Sequence, residues 1–141
     1  MKYKFFLIII IGVLIDQLTK FIFQYKNITL IPKILLIKYS TNPGIIFGLF
    51  PYNKIVTILI PLVIIAILAI YCFKEKKKLV EIGTALVITG LLGNLIDRII
   101  RGYVIDFIFI PVYPAYSISL FNIADSLLIS GVILLIYYNL K

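Results

Sequence analysis

The sequence predicts an all-α integral membrane protein with four transmembrane helices. Hydrophobic residues make up 62% of the 141 residues, and the mean hydropathy is +1.13. Charged residues make up only 14%, against roughly 25% in soluble domains. A helical span needs about 20 mostly apolar residues. Four stretches meet that requirement and account for most of a single membrane domain over residues 1–141: about 5–25, 55–73, 79–100 and 119–140.

The first span is expected to be retained as a helix. Its start, "MKYKFFLIIIIGVLI", has the basic and apolar regions of a signal peptide but continues into "DQLTKFIF" without a small-residue cleavage site. The second span carries no ionisable residue and is predicted to form a wall of the bundle. The third and fourth spans carry polar stripes at helical spacing, which are Gly90, Asn94, Asp97 and Arg98 in the third and Asn122, Asp125 and Ser126 in the fourth.

Lysine distribution predicts the orientation of the spans. "KEKKK" at 74–78 lies between the second and third spans, and two lysines precede the first. The positive-inside rule puts both groups, and therefore both termini, in the cytoplasm. The loops 26–54 and 101–118 are then external, although 26–54 also contains lysines. Because most lysines flank spans, the net charge of +8 is attributed to membrane topology, and no nucleic-acid partner is expected.

The external loops differ in character. Residues 26–54 are apolar and β-branched, with turn chemistry at Asn42-Pro43-Gly44, which predicts short strands lying against the membrane surface. Residues 101–118 are aromatic and punctuated by prolines, as in an interfacial segment. Cys72, the single cysteine, is expected to be packed and inert.

Residue usage excludes several kinds of chemistry. The chain has no histidine and one cysteine, so a Ser-His-Asp triad, a Cys-His dyad and an ordinary zinc site are excluded. No metal and no cofactor are expected. Any reaction must use carboxylates, hydroxyls, amides, lysine or arginine.

Five ionisable residues fall inside the predicted spans, where each costs roughly 2.5–3.5 kcal/mol without a partner or a water-filled cavity. They are Asp16, Lys20, Asp97, Arg98 and Asp125. Counting about 1.5 Å per residue places all five toward the external leaflet. Asp106 follows just after the third span, in the external loop.

One interpretation is that these charges only hold helices together, with Asp16 paired to Lys20 and Arg98 paired to Asp97 or another acid. Those pairs would use both cations inside the spans. Asp106 and Asp125 would then stay without a cation unless Arg101 reaches one of them. Two such carboxylates in one cavity are typical of an acid-base pair.

The motifs "DQLTK", "NPGIIFG", "GLLGNLIDRI", "VIDFI" and "FNIADS" resemble, in order and spacing, those of the lipoprotein signal peptidases (signal peptidase II). The resemblance covers nearly the whole chain and implies an intramembrane aspartic protease dyad of Asp106 and Asp125. It also implies supporting polar or small residues in the other motifs. These are Asp16, Lys20, Asn42, Gly90, Asn94, Asp97, Arg98 and Asn122.

The family resemblance also implies a fold and a substrate. The fold would be four membrane helices with a small external β-cradle and an external flap segment. The substrate would be a bacterial prolipoprotein that already carries diacylglycerol on a cysteine, and it would be cut just before that cysteine. The enzyme would act as a monomer in contact with the lipid of the cytoplasmic (inner) membrane. The chain departs from the family at Ile45 and Ile46, where small residues are common, and at the leucines of "GLLGN".

Two functions from other classes compete with this interpretation. A small four-span transporter would use an intramembrane acid such as Asp16 to bind protons or cations, and that acid should be unpaired near the midplane. A structural or assembly subunit would use every polar residue only to hold helices together.

Overall fold

The computed structural model describes residues 2–45, 49–75, 77–112, 116–117 and 120–140, which form helices, one three-stranded sheet and one two-stranded sheet. The helices are α1 (Lys2–Phe23), α2 (Ile60–Lys74), α3 (Lys78–Ile100) and α4 (Ile123–Asn139), and one π-helical turn, Ile55–Leu59, leads into α2. The strands are β1 (Asn27–Ile31), β2 (Leu35–Asn42), β3 (Val104–Phe109), β4 (Pro111–Val112) and β5 (Tyr116–Ser117).

Three of the helical segments are long and apolar enough to cross a membrane, namely Tyr3–Phe23, Ile55–Lys74 and Lys78–Ile100. The fourth, α4, is apolar but has only 17 residues. At about 1.5 Å per residue it extends about 26 Å, just short of a hydrocarbon core of about 30 Å. A membrane protein with several apolar helices is therefore confirmed, while the fourth span stays a prediction.

The approximate span boundaries differ from the observed helix ends by a few residues, and two of these differences have a local cause. The first helix ends at Phe23 and not near residue 25, because the chain turns at Tyr25, which has a positive φ of 63°. The fourth helix begins at Ile123 and not near residue 119, because Asn122 adopts an extended conformation and caps it. An asparagine in that position satisfies backbone N–H groups that the first helical turn leaves free.

Helix α3 lies at the centre of the bundle. Of the 18 residues in its most apolar stretch, 67% are buried. In the corresponding stretches of α1 and of the Ile55–Lys74 segment, only 17% are buried. Small residues on α3 allow this close packing, and the contact with α4 depends on Gly90. A Cβ added to Gly90 would lie 2.6 Å from the Cβ of Leu128 and closer still to the carbonyl oxygen of Ala124. Cys72 is buried beside Phe5, as expected for packing.

The sheet joins the two loops that were predicted to be external. Its antiparallel order is β1-β2-β3, so two strands come from residues 26–54 and the third follows α3. The short strands predicted in the first loop are confirmed. Asp106, predicted to lie in a loop, lies instead in β3 opposite Ser40. Ile37, Ile105 and Phe107 form a buried cluster that fixes the sheet to the end of the bundle.

Strands β4 and β5 pair with each other within the second loop. The predicted external flap has no assigned residue bounds, and parts of both external loops, residues 46–48, 113–115 and 118–119, lie outside the described residues. The flap therefore stays a prediction.

Substituting Gly90 by alanine should lower the stability of the protein by about 1–3 kcal/mol, because the new methyl group has no room against α4. The measurement is the thermal unfolding midpoint in detergent. Ile99→Ala is the matched control, since Ile99 lies on the same helix with 63% of its surface exposed. Equal midpoints for the two variants would contradict the proposed close contact.

Candidate functional site

A cavity of about 840 Å³ opens at the end of the bundle that carries the sheet. Most of its wall is apolar and comes from the π-turn, α2 and the faces of α3 and α4 toward them; Ile64 and Ile129 are examples. A few polar side chains reach the same space. They are Asn42, Asn94, Arg98, Asp106, Asp125 and Ser126. An apolar pocket with few convergent polar groups is typical of a binding or active site.

Asp106 enters the cavity from β3 and is only 4% exposed. Its Oδ1 accepts a hydrogen bond from Asn122 Nδ2 at 2.7 Å. Burial, together with the negative charge of Asp125, raises the pKa of Asp106 from an ordinary 3.8 to about 7. Hydrogen bonds from Asn122 and Asn42 and the charge of Lys20 oppose this rise only in part.

Asp125 enters from the first turn of α4, where it forms a reciprocal cap with Asn122. Asn122 Oδ1 accepts from the backbone N–H of Asp125 at 3.0 Å, and Asp125 Oδ2 accepts from the backbone N–H of Asn122 at 3.1 Å. The other carboxylate oxygen accepts from Asn94 Nδ2 at 2.8 Å. Two rigid neighbours thus fix the orientation of this carboxyl group.

Asn122 links the two carboxyl groups. It is fully buried, caps the helix that carries Asp125 and donates through Nδ2 to Asp106, to Asn94 Oδ1 and to the carbonyl of Ile105. One amide therefore contacts both acids at once. The structure brings Asp106, Asp125, Asn94 and Asn122 together in one hydrogen-bonded group.

Beside this site, Lys20 forms ion pairs with two buried carboxylates. Its Nζ lies 2.8 Å from Asp16 Oδ2 and 2.8 Å from Asp97 Oδ2, and all three side chains are fully buried. Arg101 forms a second ion pair with Asp97. In the part of the chain that the structure describes, no cation forms an ion pair with Asp106 or Asp125.

The interpretation that the charges only hold helices together paired Arg98 with Asp97 or another acid, but among the described residues Arg98 forms no ion pair. Arg98 donates instead to the carbonyl oxygen of Gly44 at 2.7 Å, across the cavity mouth. The two side chains leave α3 in different directions because adjacent helical positions are about 100° apart. Asp97 consequently faces α1, where Lys20 neutralises it.

The remaining predicted residues have local roles. Asn42 accepts from the backbone N–H of Gly44 at 3.0 Å, which stabilises the turn that Arg98 contacts. Gly90 lies at the α3–α4 contact rather than on the cavity wall. Ile45 lines the cavity, whereas Ile46 lies outside the described residues.

Gln17 contacts the buried acids, although the sequence did not predict it as a site residue. Its Nε2 donates to Asp97 Oδ1 and Asp16 Oδ2 at 3.2 Å and to the carbonyl of Gly93 at 3.1 Å. The one indication in the sequence was that Gln17 lies inside the motif "DQLTK". The contacts could not be anticipated, since they depend on how closely α1 approaches α3.

The described residues contain no group of three or more His, Cys, Asp or Glu side chains placed to hold a metal ion. The site offers two neighbouring carboxyls, amide donors and an apolar wall. This set is suited to acid-base chemistry on a bound water.

Comparison with known proteins agrees with the motif order. The model of the family described as signal peptidase (SPase) II matches residues 8–141. A lipoprotein signal peptidase of Clostridium tetani is 38% identical, with 96% of this chain and 91% of that protein covered. One from Halothermothrix orenii is 36% identical, over 94% of this chain and 92% of that protein.

Two solved structures, each described as a bacterial membrane enzyme, have the same fold. One superposes with a TM-score of 0.87 at 32% identity, covering 98% of this chain and 88% of that chain. The other has a TM-score of 0.85 at 33% identity, covering 98% and 93%.

Substituting Asp125 by asparagine should lower the pKa of Asp106 from about 7, because the substitution removes the neighbouring negative charge. Burial should still keep this pKa above the usual aspartate value. In the folded protein Asp106 holds its proton up to about pH 7, whereas in the unfolded chain it loses it near pH 4. Stability should therefore fall as pH rises between these values.

The check is isotope-edited infrared titration of the Asp106 carboxyl, with unfolding followed over the same pH range. In Asp125→Asn the decline in stability should end at a lower pH. An unchanged Asp106 titration would contradict the coupling of the two carboxyls.

Proposed function

The chain belongs to the signal peptidase II family, and from that premise we propose that it removes the signal peptide from prolipoproteins as an aspartic endopeptidase. Asp106 and Asp125 are the catalytic pair. The observation that carries this assignment is the single amide of Asn122, which binds Asp106 and caps the helix turn of Asp125 inside one largely apolar cavity.

The substrate class follows from the family. The chain cuts a diacylglyceryl-modified prolipoprotein immediately before the lipidated cysteine. The apolar wall, with Ile64 and Ile129 among its residues, supports this substrate because acyl chains and an apolar signal peptide need a lipid-like surface. Ile45 narrows the same cavity at the turn where the family commonly has small residues, so its side chain influences which residues fit beside the scissile bond.

Catalysis uses one proton shared between the two acids. Two carboxyls in a site of low dielectric cannot both ionise easily, so they titrate as a pair. The ionised member takes a proton from a water molecule, which attacks the scissile carbonyl carbon. The protonated member hydrogen-bonds the carbonyl oxygen and then gives a proton to the leaving nitrogen. No covalent intermediate is formed.

The supporting residues orient this machinery. The amides of Asn94 and Asn122 each donate to one catalytic carboxyl, and so hold both carboxyl groups toward the cavity. Arg98 holds the carbonyl of Gly44, which keeps the turn containing Asn42 at the cavity mouth.

The protein works as a multi-pass monomer in the bacterial cytoplasmic membrane. It has four spans, both termini in the cytoplasm and an external flap. With this topology the cavity lies toward the outer leaflet. The sheet end of the bundle supports this orientation, since the loop with "KEKKK" lies at the opposite end of α2 and α3. A lipid-modified precursor could then enter the cavity sideways from the membrane.

The transporter alternative finds no support in the structure. It requires an unpaired acid near the midplane, but Asp16 is 2.8 Å from Lys20 Nζ and fully buried. Substituting Asp106 and Asp125 distinguishes the structural-subunit alternative from the protease.

Asp106→Asn and Asp125→Asn should each insert and fold but lose cleavage of a lipidated precursor by at least about 100-fold, since each removes one half of the acid-base pair. The assay follows the shift of a purified diacylglyceryl-modified precursor to its mature size in detergent. Glu81→Gln is the matched control, because Glu81 is a buried carboxyl on α3 that does not line the cavity. Retained cleavage in either asparagine variant would refute the dyad.

Activity should also decline as pH rises through about 7. Above that value Asp106 loses its proton, so the pair no longer contains the acid that protonates the leaving nitrogen. The measurement is kcat from pH 5 to 9 with the same precursor. A kcat that stays constant between pH 6 and 9 would show that the shared proton is not needed.

A further inference from the structure

The two proposed catalytic acids lie on different elements, and the residue before each one is held in the same way. The backbone N–H of Ile105, which precedes Asp106, donates to Asp97 Oδ2 at 3.3 Å. The backbone N–H of Ala124, which precedes Asp125, donates to Asp16 Oδ1 at 2.9 Å. A buried carboxylate therefore fixes the main chain at each half of the catalytic pair.

One cation joins these two carboxylates. Lys20 Nζ lies 2.8 Å from Asp97 Oδ2 and 2.8 Å from Asp16 Oδ2. A third bond from the same nitrogen reaches Asn94 Oδ1 at 3.0 Å. An ammonium group has three hydrogens, so all of its donors are used.

We infer that Lys20 is a positioning residue that sets the separation of Asp106 and Asp125. The connection runs from Lys20 through Asp97 to the backbone of β3, and from Lys20 through Asp16 to the first turn of α4. This inference rests on the proposed function, since it assigns the separation of a catalytic pair to a residue that touches neither of its members.

Lys20 also determines how Asn94 is oriented. Because Asn94 Oδ1 accepts from Lys20 and from Asn122, its amide nitrogen must point the other way, toward Asp125 Oδ1. A reversed amide would bring two donors together at Lys20 and turn an oxygen toward a carboxylate. The same cation therefore fixes the hydrogen-bond donor that faces Asp125.

The charge balance argues for a geometric role. Lys20 and Arg101 together neutralise Asp16 and Asp97, so the cluster carries no net charge. A fully buried ion pair usually stabilises a fold no better than apolar residues of similar volume. What it provides is a fixed arrangement of donors and acceptors, which catalysis needs because a shift of about 1 Å can cost about 100-fold in rate.

The main test is Lys20→Met combined with Asp97→Asn, which removes one positive and one negative charge from the bridge. The asparagine oxygen can still accept from the backbone of Ile105. With a diacylglyceryl-modified precursor in detergent, kcat should fall about 100-fold while KM changes little, because the cavity wall remains but the pair is misaligned.

A milder variant, Asp16→Asn, keeps the Lys20–Asp97 ion pair and leaves no buried charge without a partner. Its amide replaces the oxygen that contacts Lys20, while the other oxygen can still accept from Ala124. Its kcat should also fall at little-changed KM. This variant decides the question if the double variant does not fold.

Thr89→Val provides the control for lost stability. Thr89 is fully buried on α3 and donates only within its own helix, to the carbonyl of Ala85 at 2.7 Å. Its unfolding midpoint should fall while kcat stays at the wild-type value. A merely structural Lys20 would follow this pattern, with a lower midpoint and an unchanged kcat.

The outcomes separate the two proposals. If folded Asp16→Asn keeps the wild-type kcat while Asp106→Asn and Asp125→Asn are inactive, the positioning role is wrong and the proposed function stands. If Asp106→Asn or Asp125→Asn cleaves normally, or if the wild-type protein leaves the precursor intact, the proposed function fails and the inference fails with it.

Discussion

The contact between Lys20 and two buried carboxylates is the interaction on which the rest of the site depends. It joins α1 to α3 directly, and through Asp16 it reaches the first turn of α4. A lysine inside a membrane bundle is costly unless its charge and all its donors are satisfied. Asp16, Asp97 and Asn94 meet that requirement together, so these helices can be arranged in few other ways.

The second constraint is the low polarity around the proposed catalytic pair. The cavity has few polar residues, and Asp106 is almost entirely buried in it. Burial beside Asp125 raises the pKa of Asp106 to about 7, which suits proton transfer near neutral pH. The proposed catalytic pair thus differs from the neighbouring cluster of Asp16, Asp97, Lys20 and Arg101, in which cations balance the carboxylates. Among the described residues, Asp106 and Asp125 accept hydrogen bonds from amide groups and form no ion pair.

The sheet brings Asp106, on β3, to the cavity that Asp125 enters from α4. Asp106 reaches the cavity because β3 pairs with β2 and because the cluster of Ile37, Ile105 and Phe107 packs the sheet against the bundle. Alternation along β3 then matters, since neighbouring side chains point to opposite faces. Ile105 and Phe107 pack in the apolar cluster, and Asp106 between them faces the cavity.

The sequence by itself determined the membrane class, the helical segments and the short strands of the first loop, because hydropathy and periodicity are local properties. It also led to the prediction of Asp106 and Asp125 as the catalytic pair, through the order of the motifs and the lack of a cation for these two acids. The spacing also predicted the pairing of Asp16 with Lys20, and only the tertiary structure decided the other charge contacts. Arg98 binds a backbone carbonyl instead of Asp97, Lys20 bridges two acids, Gln17 joins them, and β3 forms where a loop was expected. These contacts join residues up to 80 positions apart and depend on how closely the helices approach, which the spacing within one helix does not specify.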